Sequence, residues 1–215
     1  MPLNLEQYQE IINGHQGYFQ VLDQELYNLC AEYPGHEDLN QVCCKVLIIG
    51  RTLTTGVERQ IQTHGGFTAD TITQLAEHLH AHSDGVDTVI DDAGDHDVVS
   101  PHSISDAVQA HYDFLEILAG ITRNGNRARS FAAKYMHFHN PSVPLWDNYA
   151  NESLKRHEGR WNPTWYNRLQ VVGEADHVYR QYCCRLIQVY DELVELGHNP
   201  SPRDLDVFVM SAEEV

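Results

Sequence analysis

One short stretch of the chain holds residue types and spacings that can do chemistry. From Ile121 to Leu154 it reads ITRNGNRARSFAAKYMHFHNPSVPLWDNYANESL. Its one carboxylate before the final helix is Asp147, reached through the connector Asn140 to Trp146 with Pro141 and Pro144 inside it. Proline rings lock φ, so such a connector holds Asp147 at a set place relative to the helix before it. A carboxylate held that way can stabilise positive charge developing on a neighbouring atom, or orient and deprotonate water. The bland role is also open, because an aspartate opening a helix serves as its N-cap. Lys134 is the only lysine in the segment before Asp147, and it points either toward a neighbouring cleft or into water. Upstream, Thr122-Arg123-Asn124-Gly125-Asn126 reads as a tight turn, with Gly125 supplying the backbone freedom a reversal needs. Successive N–H groups there, and a helix opening near Arg127, would form an anion site ringed by Arg123, Arg127 and Arg129.

Charge is distributed to match. The 215 residues carry 14 Lys+Arg against 31 Asp+Glu, a net charge of −17. Residues 1–122 hold three basic and 19 acidic side chains, residues 123–185 ten and five, and residues 186–215 one and seven. A basic face on an acidic body steers a polyanion to one place and repels it elsewhere. Surface pairing of those basic groups with acidic neighbours is the alternative.

The elements that must position these groups are helices. Apolar residues recur every three or four positions and no alternating strand pattern stands out, so the fold class expected is all-α. Helices are expected over Leu5 to Ile12, Tyr18 to Tyr33, Glu37 to about Gln62 as one long element, and Thr71 to His82. Residues 83–102 read as a short helix between loops. Further helices run from an N-cap at Ser103 to Ala119 with Gly120 as the stop, and over Ala128 to His139, Asn148 to His157, Ala175 to Leu196 and Pro202 to about Met210. The helix carrying Lys134 reads as basic and amphipathic, with Phe131, Tyr135 and Phe138 on its apolar face and His137 and His139 meeting the dipole at its end.

In that order (Arg123-Asn124-Gly125-Asn126-Arg127, the helix Ala128 to His139, the connector Pro141 to Trp146, then Asp147) the segment resembles the helix–hairpin–helix DNA glycosylases. The likeness is to the divergent branch with the 8-oxoguanine-glycosylase fold, and it covers about 35 residues of the 215. It implies a two-lobed helical bundle with a cleft between lobes. One compact domain would span 1–215, with lobes at about 1–102, onto which the C-terminal helices pack back, and 103–160. It implies hydrolysis of the N-glycosidic bond of a modified base flipped out of duplex DNA, with Asp147 and Lys134 as catalytic residues. Arg123, Asn124, Gly125, Asn126, Arg127 and Arg129 would bind the DNA backbone. Trp146, Tyr149, Tyr135 and Trp161 are candidates to stack on the base, with Asn148 beside them, or else belong to the core. The hairpin end offers Arg127, Ala128 and Arg129 in place of a lysine, which implies base removal without strand cleavage. No cofactor or metal is expected, the partner is double-stranded DNA with a modified base, and the setting is base repair or anti-phage defence by a monomer.

Other constellations say less. Gly50-Arg51-Thr52-Leu53-Thr54-Thr55-Gly56-Val57-Glu58-Arg59 is unusual for a helix interior. Arg51, Thr55, Glu58 and Arg59 would share a face that lines a base pocket or forms an internal salt-bridge surface. Arg59 and His64 match the spacing of HEPN ribonucleases, so an RNA-cleaving toxin is an alternative, as is a non-enzymatic helical nucleic-acid adaptor. With 11 arginines and 14 histidines that spacing arises readily by chance. His78 and His82 sit at i, i+4 without the order of a zinc helix. The acidic run at Asp91-Asp92 and Asp95-His96-Asp97 lacks calcium-loop spacing. The five cysteines, including Cys43-Cys44 and Cys183-Cys184, have no C-x-x-C spacing and read as reduced core thiols. The opening MPLNLEQYQEII has neither a basic stretch nor a long apolar run, and no segment is apolar over the ~18–20 residues a bilayer requires, so a cytoplasmic protein is expected.

Overall fold

The computed structural model describes residues 5–14, 18–61, 71–94, 96, 98–123, 127–158 and 162–211. It is all-α, and among these residues there is no strand, only an isolated antiparallel bridge between Ile61 and Thr122. The helices are α1 (Leu5–Gly14), α2 (Tyr18–Glu32), α3 (Leu39–Thr52), α4 (Thr71–Ala81), α5 (Ser83–Asp92) and α6 (Pro101–Ala119). They continue with α7 (Arg129–His139), α8 (Asn148–Glu158), α9 (His177–Glu195) and α10 (Pro202–Ser211). Short 3-10 helices occupy Val57–Arg59 and Pro163–Arg168. None of the described helices is long and apolar enough to cross a membrane.

Buried side chains form two clusters. One gathers Leu26 of α2, Val42, Val46 and Ile49 of α3, Leu75 and Leu79 of α4, and Phe114 of α6 against Phe131, Tyr135 and Phe138 of α7. The other gathers Tyr8 of α1, Ile104 and Val108 of α6, Ala150 and Leu154 of α8, Tyr179 to Val189 of α9, and Leu205 and Phe208 of α10. Helices α6 and α7 contribute to both, so α7 runs between the two hydrophobic masses. This changes the expected character of α7. Every side chain from Phe131 to Phe138 is buried, so it is a central helix rather than an amphipathic one. Its histidines are not solvated dipole partners either. Burial lowers His137 to about 4 and His139 well below its ordinary 6.5, so both are neutral.

Two helix boundaries differ from expectation for local reasons. The long helix over residues 37–62 stops at Thr52, because Thr54 (φ 49) and Gly56 (φ 68) adopt left-handed backbone conformations that break the helical ladder. The Thr55 hydroxyl donates to the Gly50 carbonyl and accepts from the Val57 N–H, which stabilises the reversal. Arg51, Thr55, Glu58 and Arg59 therefore do not share a helical face. The N-cap of α6 is Ser100, not Ser103. The Ser100 hydroxyl accepts from the Ser103 N–H at 3.0 Å and the Ser103 hydroxyl accepts from the Ser100 N–H at 2.9 Å, a reciprocal cap with Pro101 in the first turn. The residues before it hold the ten-residue α5, the short helix expected within 83–102. All five cysteines are free thiols.

Candidate active site

Asp147 stands at the N-terminus of α8, and both its oxygens are engaged. Oδ1 accepts from the Ala150 N–H at 2.8 Å, which is an N-cap bond. Oδ2 accepts from Lys134 Nζ at 3.0 Å. Lys134 is only 5% exposed, and its ammonium also donates to the Leu53 carbonyl at 3.1 Å. The side chain of Asp147 keeps 19% of its surface accessible, so the pair is reachable from one side. Lys134 thus projects not into water but toward a neighbouring pocket. It joins the end of α3 to the start of α8.

The connector between Lys134 and Asp147 is pinned at nearly every residue. The Asn140 amide donates to Gly94 and Ile90 carbonyls at 2.7 and 3.3 Å, and its carbonyl accepts from the Ser142 N–H at 3.0 Å. His137 Nδ1 donates to the Val143 carbonyl at 2.8 Å, and the Tyr179 hydroxyl donates to the Pro144 carbonyl at 2.8 Å. The Leu145 N–H donates to Asp206 Oδ1 at 3.1 Å. The neutral His137 takes one tautomer, since Nδ1 carries the proton and Nε2 accepts from the Tyr27 hydroxyl. Asp206 is fully buried, and burial raises its carboxyl to about 7 although Arg203 and the Leu145 N–H oppose the rise. Prolines alone do not fix Asp147; a buried polar network does.

Asp147 and Lys134 open onto a pocket of ≈ 240 Å³. Its apolar surface comes from Leu22, Leu53, Phe138, Leu145, Val207 and Met210. Its polar groups are Asp147 and Lys134 on one side, the threonines Thr52 and Thr54, and the ion-paired Asp23 and Arg203 from α2 and α10. Thr54 is the one non-glycine residue with positive φ among the described residues, a strain of the kind that concentrates at functional sites. No known protein family, curated protein or solved structure matches this chain.

Other expected residues lie elsewhere. Arg51 and Glu58 pair at 2.6 Å and, with Arg59, line a separate open pocket of ≈ 340 Å³ that shares only Thr54 with the first. Tyr135 is fully buried with its hydroxyl on His36 Nε2 at 2.8 Å, and Trp146 is 5% exposed in the second cluster, so both are core residues. Asn148 and Tyr149 are exposed on the first turn of α8 beside Asp147. Arg129 binds Asp176 at 2.6 Å. Arg127 reaches Glu116 at 3.0 Å and lies over the Tyr112 ring. Burial pushes the Asp176 carboxyl up, but Arg129 and the Tyr179 N–H outweigh it and hold the group below its ordinary value. Arg123 Nε donates to the Ile61 carbonyl at 2.6 Å, which fastens the end of the turn segment to the residues after α3. Asn124, Gly125, Asn126, His64 and Trp161 fall outside the described residues.

Asp23 and Arg203 were not anticipated. Arg203 carried a signal nonetheless, as the one basic residue among the last 30. His78 and His82 pack ring to ring at 4.4 Å, and their nitrogens engage the Ile117 and His78 carbonyls.

Proposed function

We propose that the protein is a DNA N-glycosylase that hydrolyses the bond between a modified base and its deoxyribose, with Asp147 as the essential carboxylate. The observation that carries this reading is the Lys134–Asp147 pair at the mouth of a largely apolar pocket. Cleaving an N-glycosidic bond builds positive charge on the sugar. A carboxylate at the pocket mouth stabilises that charge and orients the attacking water. The flipped base fills the apolar pocket, and the low-dielectric walls strengthen the carboxylate's effect. Lys134 holds Asp147 in place and balances its charge while the site is empty. Its nitrogen is already committed to two acceptors, which favours base removal without strand cleavage.

The finer architecture belongs to the same reading. The reading carries with it a bundle of helix–hairpin–helix type, with lobes near 1–102 and 103–160 and the base entering between them, although each hydrophobic cluster draws on both ranges. The turn around Gly125 would grip phosphate, flanked by Arg123, Arg127 and Arg129. Double-stranded DNA is the partner, in base repair or in defence against modified phage DNA. The test is incubation with duplexes carrying single oxidised, alkylated, deaminated or hypermodified bases, followed by mass detection of the freed base. Release of an intact base supports the reading, whereas strand cleavage without base release, or no reaction on any duplex, contradicts it.

A further inference from the structure

A second pocket of ≈ 270 Å³ adjoins the one beside Asp147, and the two share Asp23, Arg203 and Val207 as lining residues. The Arg203–Asp23 ion pair is therefore the partition between two chambers. Its side chains are 26% and 15% exposed, so it is not sealed in the core. A half-wet ion pair contributes little net stability and can exchange its mutual bonds for bonds to a ligand. The chambers differ in chemistry. The inner one is mostly apolar and balances the carboxylates Asp23 and Asp147 against the cations Lys134 and Arg203. The outer one is lined by the amides Gln20 and Gln24, the carboxylates Asp23 and Asp204, the guanidinium of Arg203 and the ring of Tyr27, with Ile12 and Val207 as its aliphatic walls. That lining offers many acceptors, a few donors and one aromatic face, with more negative than positive charge.

Resting on the glycosylase reading of the inner chamber, we propose that the two chambers together form one binding site for a nucleobase carrying a polyhydroxylated substituent. The flat, uncharged base fills the inner chamber. The substituent crosses the Arg203–Asp23 partition into the outer one, where hydroxyls donate to Asp23, Asp204 and the glutamine carbonyls. Anionic substituents are disfavoured by the excess of carboxylates. A base without a substituent leaves the outer chamber filled with water.

The experiment compares duplexes bearing one cytosine with a 5-methyl, 5-carboxyl or 5-(hexosyloxymethyl) group, and the matching free nucleosides, by base release and by calorimetric binding. Gln24→Trp, on an exposed stretch of α2, fills the outer chamber, and a thermal melt checks that the variant folds. The expected result is release of the hexosyl base by the native protein at least tenfold faster than of either other base. Gln24→Trp should lose that rate at least tenfold. Faster release of the methyl or carboxyl base, or an unchanged rate in Gln24→Trp, overturns the two-chamber site and leaves the glycosylase reading standing. If nothing is released but the hexosyl nucleoside binds at least tenfold more tightly than the others, and Gln24→Trp abolishes that preference, the site stands and the glycosylase reading falls. The absence of both release and selective binding overturns the two-chamber site and leaves the glycosylase reading to the wider panel of modified duplexes.

Discussion

Asp147 divides its two oxygens between the cap of α8 and the Lys134 ammonium. Oδ1 caps α8 and Oδ2 meets Lys134, so substitutions can separate the roles. Asp147→Asn keeps an oxygen acceptor for the Ala150 N–H and removes the charge. It should lower base release by about 10²–10⁴-fold, the usual worth of a positioned acid or base, and cost about 1–3 kcal/mol of stability because its amide nitrogen then faces the Lys134 ammonium. Asp147→Ala should lose the same activity and a further ~1 kcal/mol of stability from the missing cap. Lys134→Met leaves the Leu53 carbonyl and the Asp147 carboxylate without their shared donor. Urea unfolding should show a loss of about 1–3 kcal/mol. Sequence made Lys134 and Asp147 separately visible, one as the lone lysine of its segment and the other through the prolines before it. Their contact was not legible, because it depends on how the 11-residue α7 and the pinned connector return the chain to the same point. Asp23 and Arg203 lie 180 residues apart, so no local spacing announces their pair.

At the scale of elements, the turn after α3 and the connector before α8 build the site. Gly56 holds a left-handed conformation, and a Cβ there would lie 3.1 Å from an Arg59 nitrogen. Gly56→Ala should cost on the order of 1–2 kcal/mol in a thermal melt. It should also slow base release, because the Leu53 carbonyl that holds Lys134 sits in the same turn. The glycines at 50 and 56 were visible in the sequence as an oddity inside a helical pattern. Apolar periodicity continues through Val57 and Ile61, and that continuity concealed the break at Thr52. Most helices were legible because their buried faces repeat at helical spacing, as at Val42, Val46 and Ile49. The buried character of α7 was not legible. Its Ala132 and Ala133 look neutral in sequence, and only packing between two hydrophobic masses makes both faces interior.

For the whole molecule, buried titratable groups set the response to pH. Burial lowers His36, His111 and His137 to about 4 from an ordinary 6.5, and holds His139 well below 6.5 as well. Such imidazoles contribute stability that is present above 6.5 and is lost as pH falls toward 4, because only the unfolded chain takes up their protons there. Asp206 acts in the opposite sense. Raised to about 7 from 3.8, it favours the fold below 3.8 and loses that contribution as pH rises through 7. The imidazoles outnumber it, so the melting temperature should fall between pH 6.5 and 4.5, each buried imidazole contributing at most on the order of 3 kcal/mol. A flat profile over that window would contradict the burial of those rings as neutral groups. Asp206→Asn should remove the opposing loss between about pH 4 and 7 without unseating Leu145. The central claim concerns chemistry at one carboxylate, and single-turnover release of a base from modified duplex DNA tests it most directly. The account predicts abasic sites, counted by aldehyde-reactive labelling, with the native protein and almost none with a folded Asp147→Asn protein. Equal yields of abasic sites from the two proteins would contradict it.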